Sequence, residues 1–256
     1  MQHNGLIEPL SSAQTNEILA AGGPPELLRT LLFPLIGKDN AARLDCASLG
    51  IRIQAFAPQS VVEKVGEESE RLWIGVAGWF VRYNDLADGE RSISQYFSGG
   101  DILNVSQLGH AWARSELSAL TDASALSVPI ASFKTAIYAD PSTATAFGSW
   151  MARQIAEIER QSRIMVQGTA AQKLAYLLLS LSDRQSSLGS QEGLIAGNLT
   201  APVTQKQFGE AAGITPITVN RIFKSWKDLG LIKLTSGRLI VQDRSELTRM
   251  ISNLID

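Results

Sequence analysis

The pattern of apolar and polar positions changes its period twice along the 256-residue chain. Before residue 50, one helical face is rich in leucine and comprises Leu27, Leu28, Leu31, Leu32 and Leu35. From Ile51 to about Pro129, short apolar runs are separated by turn residues, which predicts several strands in a small sandwich or barrel. After Ser132 the helical period returns. The chain is therefore expected to be an α+β protein.

A long amphipathic helix is predicted from about Ser142 to Val166. Its apolar stripe has nearly the spacing of a coiled-coil seam and comprises Phe147, Met151, Ile155, Ile158, Ser162 and Met165. The stripe suits a homodimer interface, and it would equally suit packing on the β-region of the same chain. Gln167-Gly168-Thr169 follows as a predicted hinge, because Gly168 interrupts the helix.

The segment from Val203 to Ile232 predicts two short helices joined by a tight turn. Gly213 ends the first helix, since a left-handed residue is needed there, and Pro216 suits the first position of the second. Such a pair indicates a helix-turn-helix that reads DNA with residues 215–229, although an ordinary helical hairpin in a larger core is the alternative. The predicted DNA contacts are Thr204, Gln205, Thr215, Pro216, Ile217, Thr218, Asn220, Arg221 and Lys224.

The residues after this pair favour the DNA-binding interpretation. Leu231–Leu234 and Leu239–Val241, with a Ser236-Gly237 turn, predict a hairpin behind the second helix, which makes a winged helix-turn-helix. The net charge of −2 argues against a broad nucleic-acid-coating surface. However, residues 199–256 carry 8 Lys and Arg against 5 Asp and Glu, whereas residues 1–198 carry 15 against 20. A mildly basic module on an acidic body fits a DNA reader attached to a domain with another role.

Candidate chemistry elsewhere is sparse. Cys46 is the only cysteine, which excludes an intrachain disulfide and a cysteine-ligated iron–sulfur cluster. His3 and His110 are too few and too far apart for a metal-enzyme motif. We therefore predict no metal site and no catalytic residue, and we do not expect an enzyme. The most apolar run, Leu72–Val81, is about half as long as a membrane-spanning helix, and the N-terminus has no signal-peptide pattern. The chain is expected to be cytoplasmic, without a membrane partner.

The C-terminal segment resembles the DNA-binding domain of the CRP/FNR family of bacterial transcription regulators. The matching features are Gly209, Gly213, Val219 and Arg221, the segment DLGLIKL, and the wing SGRLIVQDRSEL. The strand-rich region resembles the effector-binding jelly roll of this family through GWFVRYNDLADGERSISQYFSGGDIL and ARSELSALTDASALSVP. We therefore expect a flexible arm over residues 1–23, a cyclic-nucleotide-binding-like β-domain over 24–141, a dimerisation helix over 142–167 and a winged helix-turn-helix domain over 168–256.

The resemblance implies a homodimeric transcription regulator that reads a palindromic site. It implies that a small effector in the β-domain shifts the population towards the DNA-binding arrangement, and that double-stranded DNA, a second copy and RNA polymerase are the partners. It also favours the dimer interpretation of the long helix. Two alternatives are a cyclic-nucleotide-binding regulatory protein that acts through a protein partner, and a cupin-like enzyme, for which the β-region offers only His110 as a metal ligand.

The resemblance also suggests an effector site. Gly100-Asp101 aligns with the start of the phosphate-binding cassette, and Arg114-Ser115 aligns with the Arg-Ser pair that takes the phosphate in cyclic-AMP-binding members. The ribose-binding Glu falls on Val105, and the adenine-binding Thr-Ser pair falls near Ile158, so two of three recognition elements are missing and cyclic AMP is not expected. The alternative to a phosphate-binding role is that Arg114 is a surface arginine at the end of a loop. A lone loop histidine such as His110 is usually solvated, so haem is not expected.

Sequence specificity is expected to centre on Arg221, because an arginine can form two parallel hydrogen bonds with a guanine edge. Asn220 would pair with adenine or a phosphate, while Thr218 and Lys224 would hold the backbone. The catabolite activator pattern has an Arg-Glu pair where this chain has Pro216-Ile217. We therefore expect a different half-site, with Ile217 against a thymine methyl group.

Overall fold

The computed structural model describes residues 12–87, 89–187, 203–235 and 238–255. Helix α1 (Ser12–Ile36) is kinked at Gly23, where φ is 66°, and α2 (Lys38–Arg43) follows. The predicted leucine face of α1 is fully buried. The expected flexible arm differs from the structure from Ser12 onward, because this part is helical and its Ile18 and Leu19 pack against the core. Residues 1–11 of the predicted arm lie outside the described residues.

In the described part of the chain, seven strands in two sheets form the β-domain, in agreement with the predicted β-sandwich. They are β1 (Arg52–Phe56), β2 (Val61–Glu63), β3 (Arg71–Ala77), β4 (Phe80–Asp85), β5 (Arg91–Phe97), β6 (Glu116–Ala119) and β7 (Ala123–Pro129). One sheet has the order β1-β7-β3 and the other β2-β6-β4-β5. The apolar run from Leu72 to Val81 belongs to two strands, because Gly78 turns the chain with φ 77°.

Helices α3 (Ile130–Tyr138) and α4 (Pro141–Gln167) follow the β-domain. Phe147 at the start of α4 is only 1% exposed, and its ring centroid lies 5.7 Å from that of Phe133 and 5.4 Å from that of Trp150. Met151 is half-buried against the same core. The prediction that Phe147 belongs to a dimer interface is therefore wrong, since this side chain fills the core of its own subunit.

The chain divides into two packing units. The first comprises Met1–Arg82 and Tyr96–Arg153, and the second comprises Tyr83–Gln95 and Gln154–Asp256. The division falls inside α4, whereas the domain boundary expected at residue 142 marks only the start of this helix. Within the second unit, the Nε2 atom of Gln161 donates a hydrogen bond to the backbone oxygen of Ser94 at 3.1 Å. This bond ties the hairpin segment 83–95 to the C-terminal half of α4.

The second unit also contains the helices and the strand pair of a winged helix-turn-helix, so this prediction is confirmed. They are α5 (Ala170–Ser187), α6 (Gln205–Ala212), α7 (Pro216–Asp228), β8 (Ile232–Thr235), β9 (Arg238–Val241) and α8 (Arg244–Ile255). Strands β8 and β9 pair antiparallel. The break between α4 and α5 falls at Gly168-Thr169, where the hinge was predicted. The predicted turn at Ser236-Gly237 and residues 188–202 lie outside the described residues.

The C-terminal half of α4 is joined to α5 by hydrogen bonds of the buried Tyr176 and the half-buried Glu157 and Arg160. The Tyr176 hydroxyl donates a hydrogen bond to Glu157 at 2.9 Å, and Arg160 donates to the same carboxylate at 2.7 Å. Burial raises the pKa of Tyr176, and the charge of Glu157 raises it further. Tyr176 is therefore a neutral donor that joins the two helices.

Candidate nucleic-acid interface

A capping box begins helix α6. The Thr204 hydroxyl oxygen accepts a hydrogen bond from the backbone N–H of Gln207 at 3.2 Å, and the Gln207 side chain accepts one from the Thr204 backbone at 2.9 Å. Two N–H groups that lack partners within the helix are satisfied in this way. Gly213 then ends the helix with φ 65° and ψ 40°. This left-handed conformation costs glycine little, so the turn begins at a defined residue.

The turn brings α6 and α7 very close together at Gly209. A β-carbon at this position would lie 2.6 Å from the backbone oxygen of Ile214, which is shorter than any normal contact. The Phe208 and Phe223 rings meet edge to face with centroids 5.2 Å apart, and Val219 is fully buried. This packing fixes the angle between the two helices and hence the direction in which α7 projects.

Helix α7 begins at a second well-formed cap. The Thr215 hydroxyl oxygen accepts a hydrogen bond from the Thr218 backbone N–H at 3.3 Å, and Pro216 occupies the first helical position. The hydroxyl groups of Thr215 and Thr218 lie 3.0 Å apart. The half-buried Thr218 side chain thus takes part in the cap, which makes it less available to DNA than its sequence position suggested.

The two faces of α7 differ sharply in character. Val219, Phe223 and Trp226 are buried against the rest of the unit. The opposite side carries Ile217, Asn220, Arg221 and Lys224 at the i, i+3, i+4 and i+7 spacing of one helical face, and all four are exposed. We call these four residues the reading face. Eight of the nine predicted DNA contacts are exposed: Thr204, Gln205, Thr215, Pro216, Ile217, Asn220, Arg221 and Lys224.

The charges around the reading face are largely uncompensated. Arg221 and Lys224 form no ion pair within the described residues, whereas Lys206 lies 3.7 Å from Glu210. Lys233 on β8 is a further exposed cation that the sequence analysis missed. Its signal was the strand pattern, because the preceding Ile232 is buried and consecutive residues of a strand point to opposite sides. The unit thus offers several positive charges to a phosphate backbone.

The predicted effector residues differ in their surroundings. Gly100-Asp101 forms a tight turn against β3: the Gly100 N–H donates to the Gly75 oxygen, and the Asp101 carboxylate accepts from the Ser98 N–H at 2.8 Å. Arg114 is exposed, while the neighbouring Ser115 is buried. The expected pairing of Arg114 with Ser115 around a phosphate stays a prediction, since the two side chains differ in exposure in this conformation.

Ser115 contacts Arg82, an arginine that the sequence-based predictions did not include and whose side chain is only 12% exposed. The Arg82 guanidinium donates a hydrogen bond to the Ser115 hydroxyl at 3.0 Å and lies 3.7 Å from the Glu63 carboxylate. Asn104 also donates to Glu63 at 2.9 Å. Burial lowers the pKa of Arg82, and the Glu63 charge opposes this shift. Alternation along β4 was the missed signal, since Arg82 shares a face with the fully buried Phe80.

His110 lies exposed in the loop after the Val105–Leu108 3₁₀ turn. Across the described ranges, no group of three His, Cys, Asp or Glu side chains is arranged to hold a metal ion. In the same ranges, no helix is both long enough and apolar enough to span a membrane.

Comparison with known proteins agrees with this architecture. Residues 172–250 match the family model of the Crp-like helix-turn-helix domain. The chain is 22% identical over 195 residues to the cAMP-activated global transcriptional regulator CRP of Pasteurella multocida, covering 74% of this chain and 89% of the relative. It is 20% identical over 199 residues to the anaerobic regulatory protein of Aggregatibacter actinomycetemcomitans, covering 78% of this chain and 76% of the relative.

Solved structures share the fold. The structure of FixK2 from Bradyrhizobium japonicum superposes with a TM-score of 0.69 at 20% identity, covering 79% of this chain and 98% of that one. A CRP-family transcriptional regulator from Thermus thermophilus superposes with a TM-score of 0.63 at 18% identity, with the same coverage. The matching model thus identifies residues 172–250 as a Crp-like helix-turn-helix domain, which carries the exposed reading face, and the solved structures show that the chain has the fold of CRP-family transcription regulators.

Proposed function

We propose that the protein acts as a homodimer that reads a palindromic operator through α7. The observation that carries this proposal is the reading face: four exposed side chains on one side of a helix whose other side is locked into the core. Two copies related by a two-fold axis would present their α7 helices to successive major grooves, about 34 Å apart. Operator binding of this kind takes place in the cytoplasm, with RNA polymerase as the expected protein partner.

Within the proposed interface, Arg221 reads a guanine. Its guanidinium is exposed and has no ion-pair partner among the described residues, so both of its parallel N–H donors are available to a base edge. Asn220 serves an adenine or a phosphate. Thr204, Gln205, Thr215 and Lys224 lie at the helix starts or on the exposed side and suit phosphate contacts, which position the protein without specifying sequence.

The test is selection of random duplex DNA by the purified protein, followed by affinity measurements on the selected site. We expect a near-palindrome whose half-site centres are one helical turn apart. Replacing Arg221 by Ala should weaken binding to this site about tenfold or more per half-site, with a much smaller effect on random DNA. Arg249→Ala is the matched control, because Arg249 is an exposed arginine of the same unit that is already paired with Glu246. Equal losses on both DNAs would make Arg221 a phosphate contact only.

The dimer part of the proposal rests on the exposed side of α4. Ile155 and Ile158 are 55% and 53% exposed, and the exposed Ser162 continues the same stripe, with the half-buried Met165 one turn further. Isolated exposed isoleucines are common, but two on one helical stripe suit a partner helix. Replacing both isoleucines by Asp should give a monomer in sedimentation. Arg153→Asp is the control, because Arg153 is exposed on the opposite side of the helix. A double variant that stays dimeric would place the interface elsewhere.

We also propose that a small effector acts through the β-domain. The Ser115 hydroxyl is already engaged by Arg82, so a phosphate would have to displace this contact, and we do not propose cyclic AMP. DNA selection repeated with cyclic nucleotides, haem and cell extract would identify a compound that raises operator affinity. Operator binding that is equally tight with and without every addition would argue against effector control.

A further inference from the structure

The second residue of α7 is apolar and almost entirely exposed. Ile217 is 81% exposed, the highest value of any large apolar side chain within the described residues. It lies at the N-terminal end of the reading face, whose three other members are polar or charged. In helix-turn-helix proteins the N-terminal residues of the second helix are those that reach base edges. The exposed apolar group therefore lies where DNA contacts are made.

The fold itself does not need an apolar side chain at this position. Ile217 is about 200° around the helix from Val219, the nearest residue of the buried seam. The cap of α7 is formed by Thr215 and Thr218, and Pro216 provides the favourable first residue. A polar residue at 217 would leave the core and the cap intact. An apolar side chain at position 217 therefore suits contact with a partner molecule and not the stability of the fold.

The chemistry of the major groove limits what that partner is. Base edges there present hydrogen-bond donors and acceptors, and the one apolar group among the four standard bases is the 5-methyl group of thymine. Isoleucine has neither a donor nor an acceptor in its side chain. We propose that Ile217 reads the 5-methyl group of a pyrimidine in the operator half-site, which is thymine or, equally, 5-methylcytosine. This proposal rests on the proposed DNA-reading function and names the base feature that the site selects.

The spacing along α7 places this pyrimidine relative to the guanine read by Arg221. The two residues are four apart and share the exposed side of the helix. Four residues rise about 6 Å along a helix axis, which is about two base-pair steps of about 3.4 Å. The methylated pyrimidine should therefore lie within about two base pairs of that guanine, on either strand.

The experiment replaces single methyl groups in the selected operator. Each thymine of the half-site is exchanged in turn for deoxyuridine, which removes only the methyl group. At one position we expect binding to fall about fourfold per half-site, as for the loss of one buried methyl group. A cytosine at that position should bind weakly, and 5-methylcytosine should restore about the same factor. Ile217→Ala should abolish both differences, whereas Ile217→Val should retain them, and thermal unfolding should be unchanged in both variants.

The controls separate this proposal from the function on which it rests. Arg221→Ala lowers affinity for the operator but should keep the difference between thymine and deoxyuridine. If wild-type protein binds every deoxyuridine duplex as tightly as the thymine duplex, or if Ile217→Ala still discriminates, the methyl contact is refuted while the regulator function stands. Failure of 5-methylcytosine to restore affinity would likewise refute methyl reading. If no operator is selected under any condition, both proposals fall together.

Discussion

Replacing Gly209 by Ala tests the close approach of α6 and α7 that sets the direction of the reading face. The new β-carbon would lie 2.6 Å from the backbone oxygen of Ile214 and 3.7 Å from the Val219 side chain. A backbone oxygen in a tight turn cannot rotate away as a flexible side chain would. The helices must therefore separate, and the edge-to-face contact of Phe208 with Phe223 is disturbed.

The expected magnitude combines two opposing effects. Forcing an additional methyl group into a packed interface costs about 1–3 kcal/mol. Alanine is intrinsically more favourable than glycine inside a helix by about 1 kcal/mol. The net loss in the free energy of unfolding should be up to about 2 kcal/mol, and operator affinity should fall because α7 is displaced. Gly148→Ala is a matched control in the exposed side of α4, where no atom lies within 4 Å of the new β-carbon. It should gain up to about 1 kcal/mol.

Hydrogen exchange of the intact protein, followed by mass spectrometry, would localise the effect. Peptides from α6 and α7 should exchange faster in Gly209→Ala, while peptides from the β-domain should be unchanged. Urea unfolding would give the corresponding free energies. A Gly209→Ala protein that is stabilised as much as Gly148→Ala, with normal protection of α7, would refute the close contact and its role in orienting the helix.

Two further predictions concern the first packing unit. Replacing Glu63 by Leu leaves the largely buried Arg82 without this carboxylate and should cost about 3–5 kcal/mol in urea unfolding. The double variant Glu63→Leu/Arg82→Met should recover the part of this loss that comes from the unpaired Arg82, whereas Asn104 lacks its Glu63 acceptor in both variants. No recovery would assign the loss to the other donors of Glu63 and contradict the role given to the Arg82 pair. The Thr143 hydroxyl, the Thr143 backbone N–H and Arg43 lower the pKa of Asp140. The stabilisation from Asp140 is thus present above its ordinary pKa of 3.8 and is lost as the pH falls through its lowered pKa. Thermal unfolding of Asp140→Asn from about pH 6 to about pH 3 should show a weaker acid dependence than wild type, and an unchanged dependence would contradict this assignment.

The helix-turn-helix was predictable from sequence because its limits are set by local backbone chemistry. Gly213 is needed for a left-handed conformation, and Pro216 and Thr215 define the start of α7 within one residue. These signals act over a few residues and do not depend on the rest of the fold. The apolar Val219 and Phe223, four residues apart, lie on one side of α7, so their spacing also indicates that the opposite side is exposed.

The errors arose where distant packing decides the outcome. Phe147 has the spacing of a dimer seam, yet it packs against Phe133 and Trp150 of the same chain. The local sequence pattern is the same whether such a residue packs within its own chain or against a second copy. The apolar run from Leu72 to Val81 hides a turn at Gly78. A glycine is required at this turn because a β-carbon would lie 2.3 Å from the backbone oxygen of Asp122, which is distant in sequence. Arg82 was similarly hidden, because its partners Glu63 and Ser115 are distant in sequence.

The Tyr176–Glu157 hydrogen bond determines where this chain can be divided. A fragment beginning at residue 168 would contain every element of the winged helix-turn-helix, yet it would leave the buried Tyr176 hydroxyl without its acceptor. A hydrogen bond to a charged acceptor contributes about 1.5–3 kcal/mol, a large part of the stability of a small domain. The smallest portable DNA-binding module therefore includes the C-terminal half of α4. In a gene fusion or an evolutionary exchange of sensor domains, the joint belongs before Glu157, within the long helix and not at the glycine that visibly ends it.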